Sequence, residues 1–143
     1  MIVKTTFKKV AILGPGLLGG SIALAMGRHL PHIGLSLWGR KEVVAEQGRE
    51  LGIEGATSDF EAAVCGADLI VLATPVGVMS TLVERILAAG NSTALITDVG
   101  SVKRIVHDSI RPLIKDTGLQ FIGSHPMAGS EKTGLTAAMV DLL

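Results

Sequence analysis

Between Gly123 and Gly134 the chain reads Gly-Ser-His-Pro-Met-Ala-Gly-Ser-Glu-Lys-Thr-Gly, a short glycine-flanked loop with an imidazole, two serine hydroxyls and a carboxylate. His125 is the residue in it best suited to move a proton. Imidazole titrates near neutrality, and its bare nitrogen can accept the hydrogen of a substrate hydroxyl. Pro126 stiffens the loop and biases His125 away from helical backbone, which helps to fix the ring. The competing reading is a histidine that only caps a strand end. His29, His32 and His107 lack such a setting and read as surface or helix-end residues.

A second stretch far upstream, Gly14-Pro15-Gly16-Leu17-Leu18-Gly19, fits G-x-G-x-x-G. The pattern alone is weak in a chain with 18 glycines. Its context is stronger, because it follows an apolar strand and opens a helix, as a dinucleotide fingerprint requires. Gly14 would permit the tight turn, Gly16 the approach of a pyrophosphate, and Gly19 close packing of helix on strand. The free N–H groups of the first turn, Leu17 and Leu18 among them, and the positive end of the helix dipole would hold the anion. Without a ligand, the same residues make only a glycine-rich turn.

The second strand of such a fold ends in an acid when the cofactor is NAD, because the carboxylate accepts the ribose 2′-hydroxyl. Here that position is Gly39, followed by Arg40 and Lys41. A missing carboxylate removes repulsion towards a 2′-phosphate, and Arg40 can form a forked pair with it. NADP is therefore expected ahead of NAD. Otherwise Arg40 and Lys41 are solvated residues at a helix start. Thr74 and Pro75 end a central strand where the nicotinamide ribose would pass, or else simply terminate it.

The elements that must position these groups alternate regularly. Strands are expected over 9–13, 34–38, 67–73, 94–97 and 120–123. Helices are expected over 17–30 and 42–51. Ser58-Asp59-Phe60-Glu61 has the form of a capping box. Met79, Leu82, Val83, Ile86 and Leu87 fall on one face of a further helix, and Val102, Ile105, Val106, Ile110 and Leu113 on one face of the last. Alternation of this kind predicts an α/β doubly wound parallel sheet of Rossmann type with helices on both faces.

At 143 residues the chain suits one domain, a dinucleotide-binding unit over 1–143. Hydrophobic residues make up 48% but aromatics only 3%, which requires an aliphatic core such as a buried parallel sheet supplies. Formal net charge is zero, which argues against nucleic acid or an anionic membrane as partner. The single cysteine, Cys65, cannot form an internal disulfide, which favours a reducing compartment. No signal-peptide core precedes the first strand, and the longest apolar run, 67–79, is too short to span a bilayer. A cytoplasmic protein without a metal site is expected. Mean hydropathy is +0.50, consistent with a sheet covered on both faces or with a surface that something else covers. The chain ends Asp141-Leu142-Leu143 without a stop signal, as if cut inside a larger architecture.

Residues 123–132 resemble the signature of the prephenate and arogenate dehydrogenases of tyrosine biosynthesis. Asp98-Val99-Gly100-Ser101-Val102-Lys103 resembles a second block of that family, and the glycine loop and Thr74-Pro75 match in order and spacing. The resemblance covers essentially the whole chain but only the amino-terminal part of the usual enzyme. It implies oxidative decarboxylation of a cyclohexadienol: hydride passes to a nicotinamide, carbon dioxide leaves and the ring becomes aromatic. It assigns His125 as catalytic base or hydrogen-bond partner, and Ser101 as a contact of the histidine and the substrate hydroxyl. Ser101 could equally be an N-cap. Ser130 is expected to donate to a substrate oxygen. Glu131 either pairs with an arginine of a partner domain or is a first-turn acid of a following helix. Lys103 either biases the site or faces solvent.

The substrate, prephenate or arogenate, is anionic, and arginine forks usually hold such groups. Beyond Arg111 the chain has no arginine. The resemblance places that clamp in a following helical domain that also forms a homodimer and is absent here. Two alternatives compete: another NADP-dependent Rossmann dehydrogenase of the 3-hydroxyacid type, or a cofactor-binding module without chemistry. The histidine block argues against the first, whereas fold alone does not exclude the second.

Overall fold

The sheet is built from the aliphatic segments that the sequence singles out. In the computed structural model, which describes residues 6–128 and 130–143, six parallel strands lie in the order β3-β2-β1-β4-β5-β6. They are β1 (Lys9–Leu13), β2 (Gly34–Trp38), β3 (Ala56–Thr57), β4 (Leu69–Leu72), β5 (Leu95–Asp98) and β6 (Gln120–Ile122). The helices are α1 (Leu17–His29), α2 (Glu42–Glu50), α3 (Phe60–Val64), α4 (Met79–Ala88) and α5 (Lys103–Ile114). Residues 1–5 and Gly129 of the histidine motif lie outside the described residues.

This is the doubly wound order: the chain winds outward from β1 to β3, then returns to β4 on the other side of β1. Central strands are buried on both faces. Ala11, Leu13, Ile70, Leu72 and Ile96 pack with Phe60 of α3, Met79, Val83 and Ile86 of α4, and Val106 and Ile110 of α5. Val10, Ile12, Leu37 and Val71 form a second core with Ala23 of α1. Among the described residues, no helix is long and apolar enough to cross a membrane.

Two local expectations need correction, and one strand was not anticipated. Ser58 does not cap α3. The N-cap is Asp59, whose Oδ1 accepts the Ala62 N–H at 2.9 Å, while the Ser58 hydroxyl donates to Glu42. The apolar stripe of α5 is narrower than its spacing suggests. Val106 and Ile110 are buried, but Ile105 is 62% exposed and Val102, the N-cap residue, is also exposed. β3 has only two residues, too few for periodicity to signal.

After the histidine loop the chain returns to α1. A short 3₁₀ turn, Leu135–Ala137, buries Leu135 in the second core, and the Met139 N–H donates to the Ser21 hydroxyl at 2.9 Å. A Cβ on Gly20 would lie 2.6 Å from Leu135 Cδ1 and 2.8 Å from Ala138 Cβ. The part of the chain that follows the histidine motif is therefore fixed against α1.

Buried Asn91 joins the loop before β4 to the loop before β5. Its amide donates to Val64 O at 2.9 Å and Ala67 O at 3.0 Å, and its oxygen accepts from the N–H groups of Ala94 and Thr93. Replacing it with Ala strands these groups. Asn91→Ala is expected to lower stability by about 2–4 kcal/mol, read as a fall in the denaturant midpoint with unchanged slope. A shift of the midpoint within error would refute the tie.

Candidate functional site

Because all strands are parallel, the loops after β1, β2, β4, β5 and β6 leave the same rim. The crevice opens between β1 and β4, where the winding reverses. Gly14 has φ +122°, and a Cβ there would lie 2.4 Å from Ala73 O. A Cβ on Gly19 would lie 2.0 Å from Gly14 O. The protein's own packing thus requires both glycines. Gly16 differs: its backbone is extended, and a Cβ there would meet nothing within 4 Å. Neither space nor backbone demands glycine at that position, which leaves the approach of a ligand as its use. α1 starts with no side-chain cap and no acid in its first turn, so the amides of Leu17 and Leu18 remain available to an anion.

A cleft of about 620 Å³ lies over this loop. Gly14, Pro15, Gly16, Gly39, Arg40, Lys41, Thr74 and Pro75 line it; the side chains of Leu17 and Leu18 do not. The Thr74 Oγ1 is buried and has no hydrogen-bond partner among the described residues. An orphaned hydroxyl at the end of β4 fits a bound polar group in the cleft. Pro15, Gly16 and Thr74 thus together make a cradle of the right chemistry for a dinucleotide.

Gly39 is buried for a reason the sequence did not disclose. A Cβ there would lie 2.6 Å from Pro15 Cγ, so the proline ring of the loop occupies the space an acidic side chain would need. The neighbouring acid, Glu42, is engaged elsewhere. The Ser58 hydroxyl and the Arg49 guanidinium, 2.6 Å away, hold its carboxyl below the usual range. Arg40 and Lys41 consequently have no ion pair among the described residues. Sequence reading also missed Arg85 of α4. Its guanidinium lies 3.9 Å from the Phe60 ring centroid and 5.4 Å from that of Trp38, and it joins the cleft wall.

At the far end of the rim, Asp98 closes β5 with a fully buried side chain. Its Oδ2 accepts the Gly100 N–H at 2.9 Å and the Lys103 ammonium, and its Oδ1 accepts the Ser124 N–H at 3.2 Å. Lys103 also donates to the Ser124 carbonyl, so it does not simply face solvent. The Thr97 hydroxyl donates to Ile122 O at 2.7 Å and lies 2.8 Å from the Ser124 hydroxyl. With the Thr97 proton committed, Ser124 must be the donor in that pair.

His125 follows immediately and is exposed. Ser101, three residues beyond β5, caps nothing, because the N-cap of α5 is Val102. The Ser130 hydroxyl accepts the Lys132 N–H at 3.1 Å. Glu131 is exposed and begins no helix, since the next turn starts at Leu135. None of His125, Ser101, Ser130 and Glu131 lines the cleft. Along the rim the order is Arg40 and Lys41 after β2, the glycine loop, Thr74 and Pro75 after β4, Ser101 after β5 and His125 after β6. From β2 to β6 is four strand spacings, about 19 Å.

Comparison with known proteins bears on the family and the fold. Residues 22–143 match the family model described as prephenate dehydrogenase, nucleotide-binding domain. The chain is 34% identical over 139 residues to a cyclohexadienyl dehydrogenase of Zymomonas mobilis, covering 96% of this chain and 47% of that protein. It is 36% identical over 136 residues to a prephenate dehydrogenase of Lactococcus lactis, covering 94% and 38%. It therefore spans less than half the length of these relatives. The fold is shared with a prephenate dehydrogenase of A. aeolicus solved with hydroxyphenyl propionate and NAD+, at TM-score 0.84 and 24% identity over 97% of this chain and 48% of that one. With the doubly wound order, the glycine loop and the match over most of its length, the chain belongs to the prephenate dehydrogenase nucleotide-binding domain family.

Proposed function

We propose that this chain is the cofactor-binding half of an NADP-preferring dehydrogenase that oxidatively decarboxylates prephenate or arogenate in tyrosine biosynthesis. The order of groups along one rim carries this reading: among the described residues, two cations without ion pairs at one end, a threonine hydroxyl without a partner in the middle, and a histidine loop anchored at Ser124 at the other. A bound nicotinamide dinucleotide would supply the hydride acceptor. The N–H groups of Leu17 and Leu18, beside Gly16, bind its pyrophosphate. Arg40 and Lys41 face the adenosine end, and Thr74 offers its hydroxyl at mid-rim. His125 accepts the proton of the substrate hydroxyl as the ring aromatises, and Ser101 hydrogen-bonds that same hydroxyl. Ser130 and Glu131 contact the substrate side. A helical domain following residue 143 supplies the cationic clamp for the substrate carboxylate and the contacts of a cytoplasmic homodimer. The family match and the relatives' names support the reaction class.

Two measurements test the cofactor assignment. Calorimetric titration is expected to give tighter binding of NADP than of NAD. Arg40→Ala should weaken NADP by roughly tenfold or more while leaving NAD nearly unchanged. Equal affinities in the parent chain would remove the case for Arg40. Gly39→Asp alone should cost about 1–3 kcal/mol through collision with Pro15. The double substitution Pro15→Ala, Gly39→Asp should recover most of that loss and shift preference towards NAD. A Gly39→Asp protein as stable as the parent would show that the proline ring sets no limit.

For the chemistry, His125→Asn in the whole enzyme should reduce turnover by about 10²–10⁴-fold with little change in cofactor affinity. Undiminished turnover would exclude His125 as the base.

A further inference from the structure

Ser124 is held at every polar atom it has. Its N–H donates to Asp98 Oδ1 at 3.2 Å, its carbonyl accepts from the Lys103 ammonium, and its hydroxyl donates to Thr97 Oγ1 at 2.8 Å. The two groups that grip its main chain are themselves paired, Lys103 with Asp98 Oδ2. Gly123 packs against this arrangement: a Cβ there would lie 3.3 Å from Lys103 Cδ, a tight contact, and 3.7 Å from Asp98 Oδ1, an ordinary one. Gly100 supplies the third donor on the carboxylate, its backbone N–H, and a Cβ there would lie 3.0 Å from Asp98 Oδ2.

Burying a carboxylate completely is costly unless charge and hydrogen bonds compensate it. A strand end needs no such group, since a serine or a glycine would end it more cheaply. The network holds two peptide planes, the one entering Ser124 and the one leaving it for His125. The direction in which His125 departs from the chain is set by these planes, because the imidazole has no hydrogen-bond partner of its own among the described residues.

We infer that Lys103 and Asp98 are positioning residues for His125: the ion pair clamps the main chain of Ser124 and so aims the imidazole along the rim. The inference rests on the dehydrogenase reading above. Lys103 acts through the backbone of Ser124, and it is not among the residues that line the cleft. Removal of its ammonium frees the Ser124 carbonyl, leaves the Asp98 charge buried and lets His125 swing, while the glycine loop and the cleft are untouched. Misplacing a reacting group by about 1 Å costs on the order of 100-fold in rate.

The test uses Lys103→Met and Lys103→Arg. In the whole enzyme, Lys103→Met should lower kcat about 100-fold with the KM for NADP within about twofold, and Lys103→Arg should restore much of the loss. In the 143-residue chain, exchange of the Ser124 amide should quicken at least about tenfold in the Met variant and not in the Arg variant. Unchanged kcat, or unchanged protection of the Ser124 amide, would overturn the inference. So would loss of NADP binding in step with turnover, which marks general damage. The parallel His125→Asn enzyme separates the two readings. Full turnover in that variant would sink the role of His125, while the amide exchange would still report whether Lys103 holds Ser124.

Discussion

The structure depends on the contact between Gly14 and the Ala73–Thr74 peptide. β1 and β4 are neighbours in the sheet, yet the chain leaves them in opposite directions, towards α1 on one side and α4 on the other. At that divergence the turn after β1 must pass the end of β4 at a distance no side chain allows. The left-handed conformation of Gly14 meets that requirement and aims α1 at the crevice. Gly19 meets the complementary one, since its bare Cα lets the first turn of α1 close over the Gly14 carbonyl. Everything placed along the rim follows from the resulting gap.

The rim is organised by two buried devices with different chemistry. On the β2 side the device is steric: the ring of Pro15 lies against Gly39 and excludes a side chain there. Glu42, turned to Arg49 and Ser58, leaves the adjacent cations without an ion pair among the described residues. On the β5–β6 side the device is electrostatic: Asp98 gathers two N–H groups and an ammonium in a place without water access. The first keeps an acidic side chain out of the cleft wall beside Arg40 and Lys41. The second fixes the start of a loop whose histidine, His125, remains exposed. Between them the Thr74 hydroxyl has no partner among the described residues, a cost that a bound ligand would remove.

The histidine loop is anchored twice, by Ser124 at its start and by Leu135 beneath α1 at its end. Anchoring at both ends is what a loop needs to carry an exposed side chain in a defined place, since ordering entropy grows with every residue left loose. It also couples the two faces of the sheet. The loop starts at the edge strand β6, yet its far anchor lies in the core formed by α1 and α2 against β1 and β2. The segment after the loop is therefore tied to α1 through Leu135, Ala138 and the Ser21–Met139 hydrogen bond.

The sequence by itself determined the strand–helix alternation, most element boundaries and the two motifs, because each is written in local residue types. Aliphatic runs mark buried strands, Gly14 and Gly19 mark a tight turn, and Gly-Ser-His-Pro is contiguous. It misjudged Ser58 and Ile105, where tertiary surroundings decide the outcome: Glu42 takes the Ser58 hydroxyl, and no element among the described residues covers Ile105. Only the tertiary structure disclosed why Gly39 is glycine, that Arg85 reaches the cleft wall, and that Asp98, Lys103 and Ser124 form one network across 26 positions of chain. Those facts depend on which strands become neighbours. Local propensity sets what each segment forms, whereas close approach, burial and charge pairing exist only once β1 lies beside β4 and β5 beside β6.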